Sequence, residues 1–321
     1  VHGSFSHTAD PRTSVVAIGG GHGLARTLEA LVELGLHPDA VVTVADDGGS
    51  SGKLRSDHKI MALGDMRMAL ETLARTGPLA TVFGHRFSAG QLEGHAVGNL
   101  ILLALLEQGG GDVGTAVATA GRMLGCAGRV HPCTTSEVTL CARIDGTTVR
   151  GQVAIATTVG TIEEVWSDPG DVPAFRGARG AIEAAELILL GPGSLYTSVI
   201  PNLLVPEIAV AVEASTAPLV YVGNLTSQPG ETAGMDLQAH VEALLRYLPG
   251  RRPVTVLAHD GPPAEGSGAS LAPVVDHPRV RVVTGDLASR RPDGTVVAAH
   301  DSQRLANQLS QILTAARPST A

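Results

Sequence analysis

The sequence predicts an α/β fold: an open, mostly parallel sheet with helices on both faces and a β-hairpin excursion. Three observations predict it. Short apolar runs recur at Ser14–Ile18, Val41–Ala45, Leu187–Leu190, Leu219–Val222, Val254–Ala258 and Val280–Val283, each suited to a strand buried on both faces. Between them lie stretches with helical periodicity, as where Leu24, Leu28, Leu31 and Val32 share one face. Loops 19–23, 46–52, 191–198 and 223–232 follow four of these runs, rich in glycine, hydroxyl, amide and carboxyl groups. In open α/β sheets the ligand sits at that edge.

Composition narrows the class. The 321 residues carry 23 Lys and Arg against 31 Asp and Glu, a net charge of −8, which argues against a general affinity for nucleic acid or anionic membranes. Aromatic residues make up 2%, so the expected core is aliphatic. Cys126, Cys133 and Cys141 show no CxxC spacing and read as reduced thiols of a cytoplasmic protein. A zinc site on His131 and Cys133 lacks partner spacing. No apolar run has membrane-spanning length, and the first residues show no signal-peptide core. Residues 1–13 are expected as a disordered arm, 14–316 as one α/β domain with the hairpin at about 130–160, and 317–321 as a tail.

The first strand runs into Gly19-Gly20-Gly21-His22-Gly23 and a helix. That order suits phosphate, because a helix N-terminus offers free N–H groups and the positive end of its dipole. Counted from Gly19, the fingerprint GxGxxG meets Leu24 at its third glycine, which weakens a NAD(P) reading. The second strand ends in Asp46-Asp47-Gly48-Gly49-Ser50-Ser51-Gly52, with Lys53 and Arg55 beyond. Neighbouring residues at a strand end point to opposite sides. One acid is therefore expected in the pocket, accepting from ligand hydroxyls or holding Mg²⁺, and the other bracing the turn. A P-loop would need glycine at Asp47 and Ser or Thr at Leu54. Gly48–Gly52 also fits GxSxG, with Ser50 as nucleophile, but two carboxylates would crowd the oxyanion site of a serine hydrolase. A polar turn that binds nothing is the remaining alternative.

Leu63–Arg75 reads as a helix with Asp65 as a cap and Arg67 reaching a phosphate or Asp65. Gly94–Asn99 opens the helix Leu100–Glu107, with Asn99 as a candidate contact. VTLCARI and TTVRGQVAI flank Asp145-Gly146 and read as a hairpin. Gly191-Pro192-Gly193-Ser194-Leu195-Tyr196-Thr197-Ser198 offers close backbone approach and hydroxyls. Pro201 leads into a helix to about Glu213. Asn224 and Gln228 follow a later strand. His240 reads as a surface residue of a helix Leu237–Leu248, and Gly261–Ala272 as a mobile loop. Ser302 is the expected cap of the closing helix, whose stripe is Leu305, Leu309, Ile312 and Leu313.

VVAIGGGHGL, VTVADDGGSSGKLR, GHAVGNL, ILLGPGSLYTSVIPNLLVP and NLTSQPGET resemble the CofD-like superfamily in its YvcK or gluconeogenesis-factor branch, over about Val15–Leu313. The resemblance implies a Rossmann-like fold and a cytoplasmic bacterial protein tied to growth on gluconeogenic carbon, cell shape and cell-wall precursor supply. It implies binding of UDP-sugars, notably UDP-N-acetylglucosamine, with an unidentified protein partner and a homo-oligomer left open. The candidate ligand contacts are Gly20, Gly21, His22, Gly23, Asp46, Asp47, Gly49, Ser50, Ser51, Arg55, Asn99, Gly191, Gly193, Ser194, Tyr196, Asn224 and Gln228. No cofactor is required, though Mg²⁺ on Asp46 or Asp47 would suit a nucleotide sugar. The sister branch is 2-phospho-L-lactate transferase, which uses Mg²⁺ and a guanylated donor to build the deazaflavin cofactor F420. It carries an Asn-Thr-Gly-Asp-Asp type of strand tip where this chain has Val44-Ala45-Asp46-Asp47. Family members often place a basic residue before a C-terminal His-Asp pair, and this chain has Ala299 before His300-Asp301. Binding without turnover is the expectation, with a CofD-like transferase as the alternative. Cations and N–H groups around Asp46 and Asp47 would make either a poor proton acceptor, and nothing in the sequence orients His22 or His95.

Overall fold

The structure, a computed structural model, describes residues 10–48, 61–264 and 268–316. The strands, in chain order, are β1 (Val15–Gly19), β2 (Asp39–Val42), β3 (Arg129–Pro132), β4 (Thr139–Ile144), β5 (Thr147–Arg150), β6 (Ile162–Asp168), β7 (Leu187–Leu190), β8 (Leu219–Val222), β9 (Val254–His259), β10 (Val280–Gly285), β11 (Ala288–Arg290) and β12 (Val296–His300). Seven of them form one parallel sheet in the order β3-β2-β1-β7-β8-β9-β10. The chain builds outward from β1 through β2 to β3, then returns to the other side of β1 and builds outward again from β7. The direction of growth reverses between β1 and β7, which pair with Ile18 opposite Leu190. A crevice opens at such a reversal because the flanking loops leave in opposite directions.

The central strands are buried throughout, as expected of parallel strands covered by helices: β1, β2, β7 and β8 expose no residue. The helices are α1 (Gly21–Glu33), α2 (Gly64–Leu73), α3 (Pro78–Gly84), α4 (Val97–Gln108), α5 (Val113–Leu124), α6 (Gln152–Thr157), α7 (Arg176–Glu183), α8 (Ile200–Leu203), α9 (Pro206–Ala214), α10 (Leu237–Leu245) and α11 (Ser302–Ala316). A single π turn, Leu195–Val199, precedes α8. Helix α1 buries Leu24, Leu28 and Leu31, the predicted stripe, and packs beside α2 and α11. No single helix among the described residues is long and apolar enough to cross a membrane. One pair, Leu195–Leu203 with Pro206–Ala214, reaches the length together but is bent by 78°.

Several expectations need correction. Strand β2 starts two residues earlier, at a buried acid. Asp39 is concealed because His131 bonds it at 2.6 Å and Arg129 at 2.7 Å. Burial pushes that carboxyl up, and the hydrogen bonds and charges of His131 and Arg129 together more than offset it, leaving it below its ordinary value. Residues 129–132 belong to the main sheet, and the antiparallel excursion is the three-stranded sheet β5-β4-β6, reaching Asp168. The Asp145-Gly146 turn has positive φ at both residues, 46° and 77°, as a type I′ hairpin requires. Beyond it the return strand stops at Arg150, and QVAI is helical. Gly151 turns the chain at φ +101°, and the Asp47 carboxylate takes the N–H groups of Gln152 and Val153.

His240 is fully buried, with Nδ1 on the Asp236 carbonyl at 2.7 Å. The predicted helix after Pro201 is two helices, α8 and α9. The acceptor at the start of α11 is Asp301, which takes the Arg304 N–H at 2.9 Å. Ser302 instead donates to Glu33 at 2.9 Å. The hairpin β11–β12 was not foreseen, although Pro292-Asp293-Gly294 before Val296 and Val297 is a turn signal. Of Gly261–Ala272, residues 265–267 lie outside the described residues, Ser270 bridges Thr226, and Leu271 is buried.

Candidate functional site

The loops after β1 and β7 meet at the sheet reversal and bound a cavity of about 550 Å³. One wall is Gly20–Gly23 with Arg26, the opening of α1. The facing wall is Pro192–Ser194 with Thr197 and Ser198. Asn224 and Gln228 close one end, and Ala298–His300 of β12 another. Asp46, Asp65 and Gln152 supply the rest.

The two glycine walls touch. A Cβ on Gly23 would stand 2.2 Å from the Pro192 carbonyl oxygen, so only glycine lets these backbones approach. Thr27 donates to the Gly191 carbonyl at 2.8 Å, and the Gly191 N–H bonds Ile18 at 2.9 Å. Asn202, buried beneath, donates to the Gly19 carbonyl at 3.2 Å and to that of Ser198 at 2.9 Å. Asn224 holds Gly193 at both its N–H and its C=O. Gln228 donates to Ser194 Oγ at 3.2 Å. Under the π turn lies Glu231, buried, accepting from the Tyr196 N–H at 3.1 Å and from the Thr197 hydroxyl. Burial raises its carboxyl pKa, and those hydrogen bonds oppose the rise. Segment 223–232 thus fixes segment 191–198 and also faces the cavity.

The acid pair of the site is Asp46 with Asp65, not Asp46 with Asp47. Asp46 lines the cavity and accepts the Gly48 N–H at 3.0 Å. Asp47 turns away to the start of α6. Asp65 stands in the first turn of α2, whose cap position is Leu63. Its carboxyl lies on the glycine loop, so near that a Cβ on Gly20 would be 2.4 Å from Oδ2, and it accepts the Gly21 N–H. The residue keeps some opening to the cavity while its carboxyl is enclosed. Burial and then the Asp46 charge push it up to about 7, against the Gly21 hydrogen bond and the Arg67 charge. The raised carboxyl at the cavity is thus that of Asp65, a residue outside the pair Asp46 and Asp47 weighed as proton acceptors from the sequence. His300 is held down to about 4 by burial. Its Nε2 donates to the Gly223 carbonyl at 3.1 Å, which leaves the ring neutral with an acceptor at the other nitrogen.

Of the candidate contacts, Gly20, Gly21, His22, Gly23, Asp46, Gly193, Ser194, Asn224 and Gln228 are brought together at this cavity. Gly191 lies behind the loop, tied to Ile18 and Thr27. Tyr196 is buried below it, and Asn99 is buried in α4, so neither lines the cavity. Gly49, Ser50, Ser51 and Arg55 fall outside the described residues. Arg67 pairs with Glu71. Arg26, Asp65, Gln152 and Ala298–His300 were missed. Arg26 could have been found, one helical turn beyond His22. Asp65 gave no signal beyond that of a cap. Oxygen donors on Asp46 and Asp65 suit a hard cation such as Mg²⁺, which takes one or two carboxylates together with ligand phosphates. Among the described residues no group of three His, Cys, Asp or Glu side chains could hold a metal ion.

Residues 15–307 match the model of the CofD family, described as 2-phospho-L-lactate transferase CofD. A Halalkalibacterium halodurans protein named gluconeogenesis factor is 41% identical over 239 residues, 74% of each chain. A Deinococcus radiodurans relative, named putative gluconeogenesis factor, is 42% identical over 315 residues, 93% of this chain and 65% of its own length. The chain thus spans just under two thirds of that relative. This chain belongs to the CofD family, in its gluconeogenesis-factor branch. A crystal structure of a UPF0052-family protein from Bacillus halodurans superposes with a TM-score of 0.84 at 32% identity, covering 92% of this chain and 99% of the other. The CofD-family α/β fold and the branch expected from the glycine-rich segments therefore stand.

Proposed function

We propose that the crevice binds a nucleotide sugar, UDP-N-acetylglucosamine or a close relative, and that the protein acts as a regulator in a gluconeogenesis-related role tied to cell-wall precursor supply. One observation carries the binding claim: two glycine walls meet at the sheet reversal and leave a polar cavity large enough for a phosphate-bearing ligand. Backbone N–H groups at the opening of α1 other than that of Gly21, which Asp65 holds, suit a diphosphate together with Arg26, and Asn224, Gln228 and the neutral His300 suit hydroxyl and amide groups. Asp46 and Asp65 would repel a bare diphosphate, so these two are the residues that would hold Mg²⁺ with it; the ion would supply charge neutralisation there. The gluconeogenesis-factor name of the relatives supports the gluconeogenesis-related role.

A second reading, a CofD-like transferase, is favoured by one observation. Asp65, held at about 7 beside Asp46, could accept a proton from an attacking hydroxyl. Incubation with UDP-N-acetylglucosamine and Mg²⁺, followed by chromatography, separates the two. The regulator returns the nucleotide sugar unchanged and is stabilised by it more than by GTP or NADP. UMP, UDP or a transferred sugar accumulating over many protein equivalents, and lost in Asp65→Asn, would overturn the regulator.

A further inference from the structure

A second cavity, of about 450 Å³, lies at the outer edge of the sheet against β3 and α5. It is remote from the crevice along the strands. Its residues Arg129 and Val130 pair with Asp39 and Ala40 at the start of β2, whereas the crevice gathers at the strand ends. The interior is apolar, made by Leu70, Val117, Val130 and the ring of Phe175. That ring is fixed in place. A Cβ on Gly114 would stand 2.6 Å from Cζ, and one on Gly177 2.6 Å from Cε1, so glycine backbone packs against the ring from both sides. The ring also lies 6.0 Å from the imidazole of His131.

The mouth is cationic. Arg122 and Arg129 line it, and the Arg75 side chain lies 3.1 Å from the Cβ position of Gly125, another lining residue. Arg129 is paired with Asp39, and Arg122 donates to Thr119 at 2.9 Å. Of the nearby acids, Asp39 is paired with His131 and Arg129, while Asp112, which caps α5 through Thr115, keeps its charge beside Gly114. An apolar hollow with Arg122 and Arg75 at its rim, beside the Arg129–Asp39 pair, is complementary to one chemistry. We propose that this cavity is a second ligand site that takes an amphipathic organic anion: an aromatic or aliphatic body in the hollow, with a carboxylate, sulfonate or phosphate at the mouth. Its occupant would touch Leu70 of α2, the helix whose first turn places Asp65 in the crevice.

The probe is 1-anilinonaphthalene-8-sulfonate, an aromatic anion whose fluorescence rises in apolar surroundings, titrated into the full chain. Gly121→Leu fills the hollow, because the Cβ position of Gly121 has one neighbour, Leu70 Cδ2, at an ordinary 3.5 Å. Ala118→Leu, at an exposed lining position, serves if Gly121→Leu loses its native near-ultraviolet circular dichroism. The expected result is one saturable site, not displaced by excess UDP-N-acetylglucosamine. Binding should be roughly tenfold weaker in the filled variant and about threefold weaker in Arg122→Glu. The neutral analogue N-phenyl-1-naphthylamine should not respond to Arg122→Glu. Absence of a saturable site, displacement by the nucleotide sugar, or unchanged affinity in a natively folded filled variant would overturn the proposal. An equal response of the neutral analogue to Arg122→Glu would overturn its anionic part.

Discussion

Asn224 holds Gly193 at both ends: Oδ1 accepts the Gly193 N–H at 3.3 Å, and Nδ2 donates to the Gly193 carbonyl at 3.0 Å. Gly193 sits at φ +152°, a conformation open to glycine and closed to residues with a side chain, and the two bonds select it from glycine's wide range. Asn224→Ala removes both bonds and should cost about 1–2 kcal/mol in urea unfolding. Asn224→Asp keeps an acceptor but turns a carboxylate toward a carbonyl, and should cost no less. Wild-type stability in both variants would show that the loop holds itself.

The Asp65 carboxyl links the site to pH. Its folded pKa, about 7, lies above its ordinary 3.8, so between those values the folded chain keeps a proton that the unfolded chain has lost. Stability from this group therefore falls as pH rises from about 4 to about 7. His300 acts in the opposite sense. Its folded value of about 4 lies below its ordinary 6.5, so its contribution rises from about pH 4 to about 6.5. The two slopes oppose each other and mask one another in the wild type. Asp65→Asn keeps an oxygen for the Gly21 N–H and removes one slope. The difference in stability, variant minus wild type, should climb from pH 4 to 7 by on the order of 2 kcal/mol and then level off. A flat or falling difference in thermal melts would refute the raised carboxyl.

Asp47 acts at a distance from the cavity. Its two oxygens take the N–H groups of Gln152 and Val153 at 3.0 and 2.9 Å, and Gln152 lines the crevice. Asp47→Ala should cost about 0.5–2 kcal/mol, the usual loss for a helix cap. Amide exchange at Gln152 and Val153 should speed up, with that of α1 unchanged. Unaltered protection at those two amides would show that α6 does not depend on Asp47.

The sequence was most informative where chemistry is local. Apolar runs ending in glycine marked β1, β7 and β8, because a strand buried on both faces needs an unbroken apolar string. Gly23 and Gly193 could be read as close-approach points for the same local reason. What escaped depended on partners far along the chain. Asp39 looked like loop until His131 and Arg129, some ninety residues on, were seen to neutralise it. QVAI looked like strand because its cap, Asp47, lies 105 residues before Gln152. Asp65 looked like a cap because nothing near it announces Gly20 against its carboxyl. Ala298–His300 reached the crevice by a hairpin whose turn signal was present and went unread.

The most direct test of the crevice as a nucleotide-sugar site is a calorimetric titration of UDP-N-acetylglucosamine with Mg²⁺ into the wild type and Gly23→Ala. A Cβ at position 23 meets the Pro192 carbonyl oxygen at 2.2 Å, so the two glycine walls must part. The expected result is one saturable site in the wild type and affinity roughly tenfold weaker or worse in a natively folded Gly23→Ala protein. Equal affinity in the two proteins, or tighter binding of GTP or NADP by the wild type, would contradict it.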